Sequence, residues 1–327
     1  MKVIVTGANG FIGSRIAIDL RSAGHEVIRL VRRSESGADE NTLAVDIGSA
    51  ESVRELRRIE RVDAVIHCAG IAHRTTKIDK AEYQRVNVEG TANIAGLAAA
   101  MGIRQFIYLS SVMVYGRTNG ALIHESSPCD PVDEYAMSKL RAERSALEIC
   151  AVHGIGLTIL RPAPVIGEGC KGNFIRLVSA IDRRRFLSIG SGDNRKSMIY
   201  VGDVSSACAA VLTQKSNAEP EVFNLSADPI TVHDLCGSIY KALQRSPSRV
   251  SLPAPFVKRS IQLVSRVIKH HSVASIKRSI DTWLAEDIYS PSAIFARYGI
   301  RAEVSIEEAA RRTVHNYKKQ RAHESVS

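Results

Sequence analysis

Near its amino terminus the chain carries the apolar run KVIV and then TGANGFIG, so Gly7, Gly10 and Gly13 recur where a strand gives way to a helix. Few folds accommodate glycines at those points. They suit a backbone turn too tight for a side chain and a helix packed hard against a sheet. The first N–H groups of such a helix have no partner within it and favour an anion. The alternation continues through EVIRLV, TLAVDI, AVIHCAG, QFIYLSS and LTILRP, with helical patterns near 11–23, 49–59, 79–101 and 133–153. Short β-branched runs alternating with helices imply a parallel sheet with right-handed crossovers. Such sheets bind ligands beyond the carboxyl ends of their strands, near the switch in strand order.

The expected fold is α/β: a Rossmann doubly wound parallel sheet with a smaller, mostly helical C-terminal region that binds substrate. Residues 1–162 form the dinucleotide-binding domain in this reading, and 197–226 return to it. The substrate region is 163–196 with 227–320, and 321–327 form a tail. NFIRLVSAIDRRR reads as a helix, MIYVGDVSSACAAVL as a strand entering a helix, and EVFNLS as a short strand. The stretch LPAPFVKRSIQLVSRVIKH (252–270) has an apolar face opposite basic residues, which suits a helix packed on its own protein or a peripheral membrane contact.

No apolar run is long enough for an integral membrane span, and the first residues lack the layout of a signal peptide. Six cysteines are scattered without a paired or metal-ligating spacing, so reduced thiols in a cytoplasmic protein, with no metal, are expected. The net charge is +10, and its basic residues lie in short clusters at 32–33, 57–58, 183–185, 194–196 and 311–312. No aromatic-interleaved basic stripe accompanies them, which argues against nucleic acid as a partner.

In the glycine stretch, Gly7 permits the turn, Gly10 lets backbone N–H groups approach a pyrophosphate, and Gly13 lets the helix close on the sheet. The ligand expected is a nicotinamide dinucleotide. NAD binders favour an acid at the end of the second strand; this chain has Val31 there, followed by Arg32 and Arg33. Two guanidinium groups suit a 2′-phosphate, so NADP(H) is preferred and NAD(H) remains possible.

Tyr135 and Lys139 lie one turn apart at the start of a helix, on one face. An ammonium near the phenol favours phenolate, so Lys139 is expected to lower the Tyr135 pKa. Such a Tyr can exchange a proton with a carbonyl oxygen while hydride moves at the adjacent carbon. Ser111, at the end of the preceding strand, is placed to hydrogen-bond the same oxygen.

In this combination the chain resembles an extended short-chain dehydrogenase/reductase of the nucleotide-sugar epimerase/dehydratase family. The motifs TGANGFIG, VDI, HCAG, VNVEGT, SSVMVYG, YAMSK, LRPAPVIGEG and IYVGDV fall in family order. The resemblance implies that Phe11 and Ile12 lie along the cofactor phosphates and that Asp46 and Ile47 border the adenine. It places Cys68, Ala69 and Gly70 along the dinucleotide and Asn87 as a brace at the end of the fourth strand. Ser111, Tyr135 and Lys139 would do the chemistry, with Lys139 also holding the nicotinamide ribose. Asn173 would contact the substrate's diphosphate, and Arg195 or Lys196 would neutralise it. A homodimer formed through the helices near 79–101 and 133–153 is also implied.

The sequence departs from the family in three places. Pro164 stands where an Asn usually approaches the substrate phosphates, and Pro has no donor. Val112 and Met113 follow Ser111, where dehydratases carry an Asp-Glu pair, so elimination of water is not expected. The usual carboxy-terminal substrate arginine has no assigned counterpart. LRPAPVIGEGCKGNF with DNRKSMIYV resembles the branch that reduces UDP-4-keto-6-deoxy-N-acetylhexosamines for bacterial surface polysaccharides. NADPH-dependent 4-keto reduction is therefore the expected activity. A UDP-hexose 4-epimerase with tightly bound NAD is the alternative.

Overall fold

The computed structural model describes residues 1–33, 39–72, 79–214, 219–247, 251–257, 259–260 and 280–324. Its central sheet has seven strands, all parallel, in the order β12-β7-β5-β4-β1-β2-β3. These are β1 (Lys2–Thr6), β2 (Glu26–Val31), β3 (Thr42–Ala44), β4 (Ala64–His67), β5 (Gln105–Leu109), β7 (Gly156–Pro162) and β12 (Glu221–Leu225). The chain runs outward from β1 through β2 and β3, then returns to β4 on the other side of β1. The switch in strand order falls there, beside the glycine turn.

Every residue of β4, β5 and β7 is buried, because helices cover both faces of the sheet. On one face α1 (Phe11–Ser22) and α7 (Val201–Thr213) bury Ile16, Leu20, Val204 and Cys208 against Val3, Val5 and Ile66. On the other, α4 (Gly90–Ala100) and α5 (Glu134–His153) bury Ile94, Ala98, Ala142 and Ala146 against Ile4, Val65 and Phe106. The small alanines let these helices approach the sheet closely. The helix expected near 79–101 is present as α3 (Lys80–Tyr83), a π-helical stretch Gln84–Glu89, and α4. That stretch carries Asn87, and π-helical segments are frequent at functional sites.

The carboxy-terminal residues build a third core from α6 (Asn173–Asp182), α8 (Val232–Leu243) and the last helix, Ile306–Glu324. That helix continues past residue 320, through residues 321–324 that the sequence reading assigns to a tail. Short parallel pairs β6 (Leu122–Ile123) with β15 (Ile288–Tyr289) and β8 (Val165–Ile166) with β11 (Ile199–Tyr200) tie this part to the sheet's carboxyl edge. Two further pairs join β9 (Ser188–Ile189) to β14 (Ser251–Leu252) and β10 (Arg195–Lys196) to β13 (Ile230–Thr231). Residues 258 and 261–270 of the amphipathic stretch lie outside the described residues. Among the described residues no helix is long and apolar enough to cross a membrane.

Candidate active site

The glycine turn is built as its spacing requires. Gly7 has φ +65°, and a Cβ there would stand 2.9 Å from both the N and Cα of Ala69. A Cβ on Gly13 would stand 2.3 Å from the Gly7 carbonyl oxygen. Both positions exclude side chains through backbone that cannot yield. The Gly10 N–H donates to the Gly7 carbonyl at 2.8 Å and closes the turn. Gly10 then caps α1 with no side-chain hydrogen bond, so the N–H groups around Phe11, Ile12 and Gly13 face outward uncapped. That cradle, with the positive end of the helix dipole behind it, fits a dinucleotide pyrophosphate.

Arg32 and Arg33 follow β2 directly and are exposed. The Ala8 N–H donates to the Leu30 carbonyl at 3.2 Å, which ties the glycine turn to the strand that delivers the two arginines. Asp46 and Ile47 follow β3. The exposed Asp46 carboxylate is paired with Arg85 at 2.7 Å, while Ile47 is buried against Gly90.

A chain of buried polar groups joins this turn to α5, and the sequence reading missed most of it. Thr6 Oγ1 accepts the Cys68 and Ala69 N–H groups at 3.1 and 2.9 Å, leaving its own hydrogen for His67 Nδ1 at 2.7 Å. His67 therefore carries its proton on Nε2 and donates it to Thr91 Oγ1 at 3.0 Å, an assignment made from the hydrogen-bond network. Thr91 donates in turn to the Asn87 carbonyl at 2.6 Å. The Asn87 side chain accepts from the Ile71 N–H at 2.7 Å and donates to Ser138 Oγ at 2.9 Å, and Ser138 donates to the Tyr135 carbonyl at 2.7 Å. Burial, reinforced by the Lys139 charge, holds the His67 pKa down to about 3. The imidazole is a neutral strut. The only sequence signal for it is a polar residue closing each of two apolar strands, Thr6 and His67.

Asn87 grips Ile71 in the segment after β4, accepting its N–H and donating to its carbonyl at 3.2 Å. Gly70 lies between: a Cβ there would stand 3.0 Å from Asn87 Oδ1 and 3.6 Å from Lys139 Nζ.

Ser111, Tyr135 and Lys139 converge at the carboxyl end of β5. Ser111 caps a short 3₁₀ turn, its hydroxyl accepting the Met113 N–H at 3.2 Å, and it lies close enough to Tyr135 to favour the phenolate. Asp133 caps α5 by accepting the Ala136 N–H at 2.8 Å, which fixes where the helix face bearing Tyr135 and Lys139 begins. Lys139 is buried, donates to the Leu109 carbonyl at 2.8 Å, and stands 4.8 Å from the centre of the Tyr108 ring. Burial lowers its pKa to about 8, against the opposing pull of Cys68 and Glu143.

The sequence leads one to expect a Tyr135 phenol made more acidic by Lys139. The structure differs: burial pushes the phenol up to about 12, Ser111 opposes this, and Asp133 and Tyr83 add to it. The Lys139 ammonium donates to the Leu109 carbonyl. The phenol of the free protein keeps its proton. Cys68, beside the same cluster, has its thiol raised to about 12 by burial, so it is no thiolate nucleophile.

The residues expected to meet the substrate diphosphate are less tightly grouped. Asn173 is exposed at the first position of α6, after Gly172 at φ +93°. Arg195 is exposed and paired with Glu286 at 2.8 Å. Lys196 is buried, and its ammonium is held by Asp287 at 2.6 Å and by the Thr282 carbonyl at 2.5 Å. Of the two alternatives, Arg195 is the one on the surface. Pro164 is exposed, Val112 buried and Met113 half-buried.

A seven-stranded parallel sheet with a glycine turn at its switch point defines a Rossmann-like α/β protein. Residues 3–226 match the NAD dependent epimerase/dehydratase family, and the chain belongs to it. Among curated relatives, the N-acetyl-alpha-D-glucosaminyl-diphospho-ditrans,octacis-undecaprenol 4-epimerase of Escherichia coli O157:H7 is 30% identical, over 78% of this chain and 76% of its own. The UDP-glucose 4-epimerase of Vibrio cholerae is 27% identical over 62% of this chain and 64% of its own. The UDP-glucuronic acid 4-epimerase from Bacillus cereus, solved in complex with NAD, superposes with a TM-score of 0.77 at 20% identity, covering 98% of this chain and 99% of that one. The structure of RMD from Pseudomonas aeruginosa, complexed with NADPH, gives 0.72 at 23% identity over 97% and 99%. At such identities these structures establish the fold alone.

Proposed function

We propose that the protein reduces the 4-keto group of a UDP-4-keto-6-deoxy-N-acetylhexosamine with NADPH. The observation that carries the choice of reductant is the exposed Arg32–Arg33 pair at the end of β2, where an acidic residue would favour NAD. With the dinucleotide's pyrophosphate on the glycine turn, its nicotinamide would supply hydride to C4. The chain's own residues handle the oxygen and the proton. Tyr135, protonated at neutral pH because of its burial, gives its phenolic proton to the C4 oxygen, so the carbonyl gains one hydride and one proton to become the alcohol. Ser111, beside that phenol and favouring its ionised form, holds the same oxygen. Lys139, one turn along α5 from Tyr135, is clamped to the Leu109 carbonyl, with its ammonium close to Gly70, and would hold the nicotinamide ribose there. Val112 and Met113 cannot carry a proton, which supports reduction or epimerisation over elimination.

A second reading is supported by the curated relatives, whose names include 4-epimerases of diphosphate-linked sugars. The same three residues would serve a 4-epimerase with retained NAD, acting on a sugar carried by UDP or by a polyprenyl diphosphate. One experiment separates the two. The purified protein is examined for co-purified dinucleotide, then mixed with NADPH and UDP-4-keto-6-deoxy-N-acetylglucosamine. Loss of one NADPH per sugar, with little retained cofactor, supports the reductase. Stoichiometric bound NAD, with epimerisation of UDP-N-acetylglucosamine or of its undecaprenyl-diphosphate counterpart and no net NADPH consumption, overturns it.

A further inference from the structure

Glu143 lies on α5 one turn beyond Lys139, on the same buried face, and is 2% exposed. Its carboxylate is gripped by Arg161 of β7, from Nε to Oε1 at 2.9 Å and from Nη2 to Oε2 at 2.6 Å. Oε1 also accepts the Ser110 hydroxyl at 2.5 Å. Arg161 is anchored from behind: Nη1 donates to the Tyr115 hydroxyl at 2.8 Å, the guanidinium stands 4.9 Å from the centre of that ring, and Tyr115 donates to Asn224 Oδ1 at 2.9 Å. Both carboxylate oxygens are occupied and the charge is paired, so Glu143 is poorly placed to exchange protons with a substrate. Removing one partner of such a pair leaves a lone buried charge.

Ser110 is the residue before Ser111, and Leu109, whose carbonyl holds Lys139, is the residue before Ser110. The end of β5 is therefore held to α5 at two consecutive points, Leu109 by Lys139 and Ser110 by Glu143. We propose that Glu143 is a positioning residue: locked by Arg161, it fixes Ser110, and through it Ser111, against the helix face that carries Tyr135 and Lys139. This rests on the Ser111–Tyr135–Lys139 reading above. Displacement of a reacting group by about 1 Å can lower turnover by about a hundredfold, so a hold on the segment bearing Ser111 matters for rate more than for binding. Glu143 also favours the charged form of Lys139. The other groups facing that ammonium are Cys68 and His67 from the end of β4 and the Tyr108 ring from β5.

The test uses the full-length protein, NADPH and UDP-4-keto-6-deoxy-N-acetylglucosamine, or bound NAD and UDP-N-acetylglucosamine if the epimerase reading holds. Glu143→Leu combined with Arg161→Met removes both charges, so no lone ion is left buried. The expected result is a kcat lowered by about ten- to a hundredfold, with KM and the dinucleotide Kd little changed. The alkaline limb of kcat should move to lower pH, because Lys139 loses a stabilising carboxylate. Ser110→Ala tests the contact without the charge and should lower kcat by a smaller factor while leaving the limb in place. A purely structural role would scale the fraction of active enzyme and leave the pH profile unmoved. A folded double variant with kcat and alkaline limb both unchanged overturns the proposal, as does Ser110→Ala with unaltered turnover. Tyr135→Phe in the same assay separates the two levels: if it too is fully active, the site reading fails; if it is inactive while the other variants are normal, only the role of Glu143 falls.

Discussion

At about pH 5 the neutral His67 strut should lower the stability of the fold by about 2 kcal/mol relative to neutral pH. The folded-state pKa is held down to about 3, whereas an unfolded histidine titrates near 6.5. Between those values the unfolded chain binds a proton that the folded chain refuses, so stability falls as pH falls. The contribution is fully present above about pH 6.5, declines below it, and stops changing once the folded state also protonates near pH 3. For any folded pKa well below 5, the loss at pH 5 depends only on the unfolded value and comes to about 2 kcal/mol. The cause is burial first and the Lys139 charge second, and the ring's hydrogen bonds act in the same direction. Protonating Nδ1 removes the acceptor that Thr6 needs, while Thr6 Oγ1 already accepts the backbone N–H groups of Cys68 and Ala69 after β4. The assay is urea unfolding at about pH 7 and about pH 5 for the wild type and for His67→Gln. The glutamine can accept from Thr6 and donate to Thr91 but cannot titrate. Other histidines contribute equally to both proteins, so the wild type should lose about 2 kcal/mol more than the variant. Equal losses in the two proteins would refute the neutral strut and its tautomer.

Three further outcomes follow from the same site. Gly7→Ala must force a side chain into positive φ with its Cβ 2.9 Å from the Ala69 backbone, so NADPH affinity should fall at least about tenfold in a fluorescence titration, at about 1.4 kcal/mol per tenfold. Replacing Arg32 and Arg33 together by serine should lower the kcat/KM ratio of NADPH over NADH by about tenfold or more, since a charge-assisted contact to phosphate contributes about 1.5–3 kcal/mol. Raising the pH through about 8 should deprotonate Lys139 and depress kcat; Lys139→Met should be slow throughout and show no such limb.

Much of the dinucleotide half was legible in the residues, because its constraints are local. A glycine that must sit at positive φ, a helix packed on a carbonyl oxygen, and a tyrosine one turn before a lysine all leave marks a few residues long. Arg32 and Arg33 follow β2 as the strand pattern implies, and Ser111, Tyr135 and Lys139 meet at the end of β5. What stayed hidden was assembled across the chain. Thr6, His67, Thr91 and Ser138 look like isolated polar residues until the sheet aligns β1 with β4 and packs α4 and α5 beside them. Glu143 continues the spacing of Tyr135 and Lys139 along α5, a signal that was available, but its partner Arg161 comes from another strand. Local spacing also misjudged two electrostatic outcomes. The phenol of Tyr135 is raised, because burial governs it while the Lys139 ammonium is directed to a backbone carbonyl. Lys196, a candidate for the substrate phosphates, is buried in a pair with Asp287, whose position only the β10–Asp287 bridge reveals.

The most direct test of the central claim is single-turnover reduction by Tyr135→Phe, with NADPH binding measured on the same sample. The variant should bind NADPH as the wild type does and turn over about a hundred- to ten-thousandfold more slowly, because the ring remains and only the proton donor is gone. Turnover at the wild-type rate, with the dinucleotide bound, would contradict the assignment of Tyr135 as the acid.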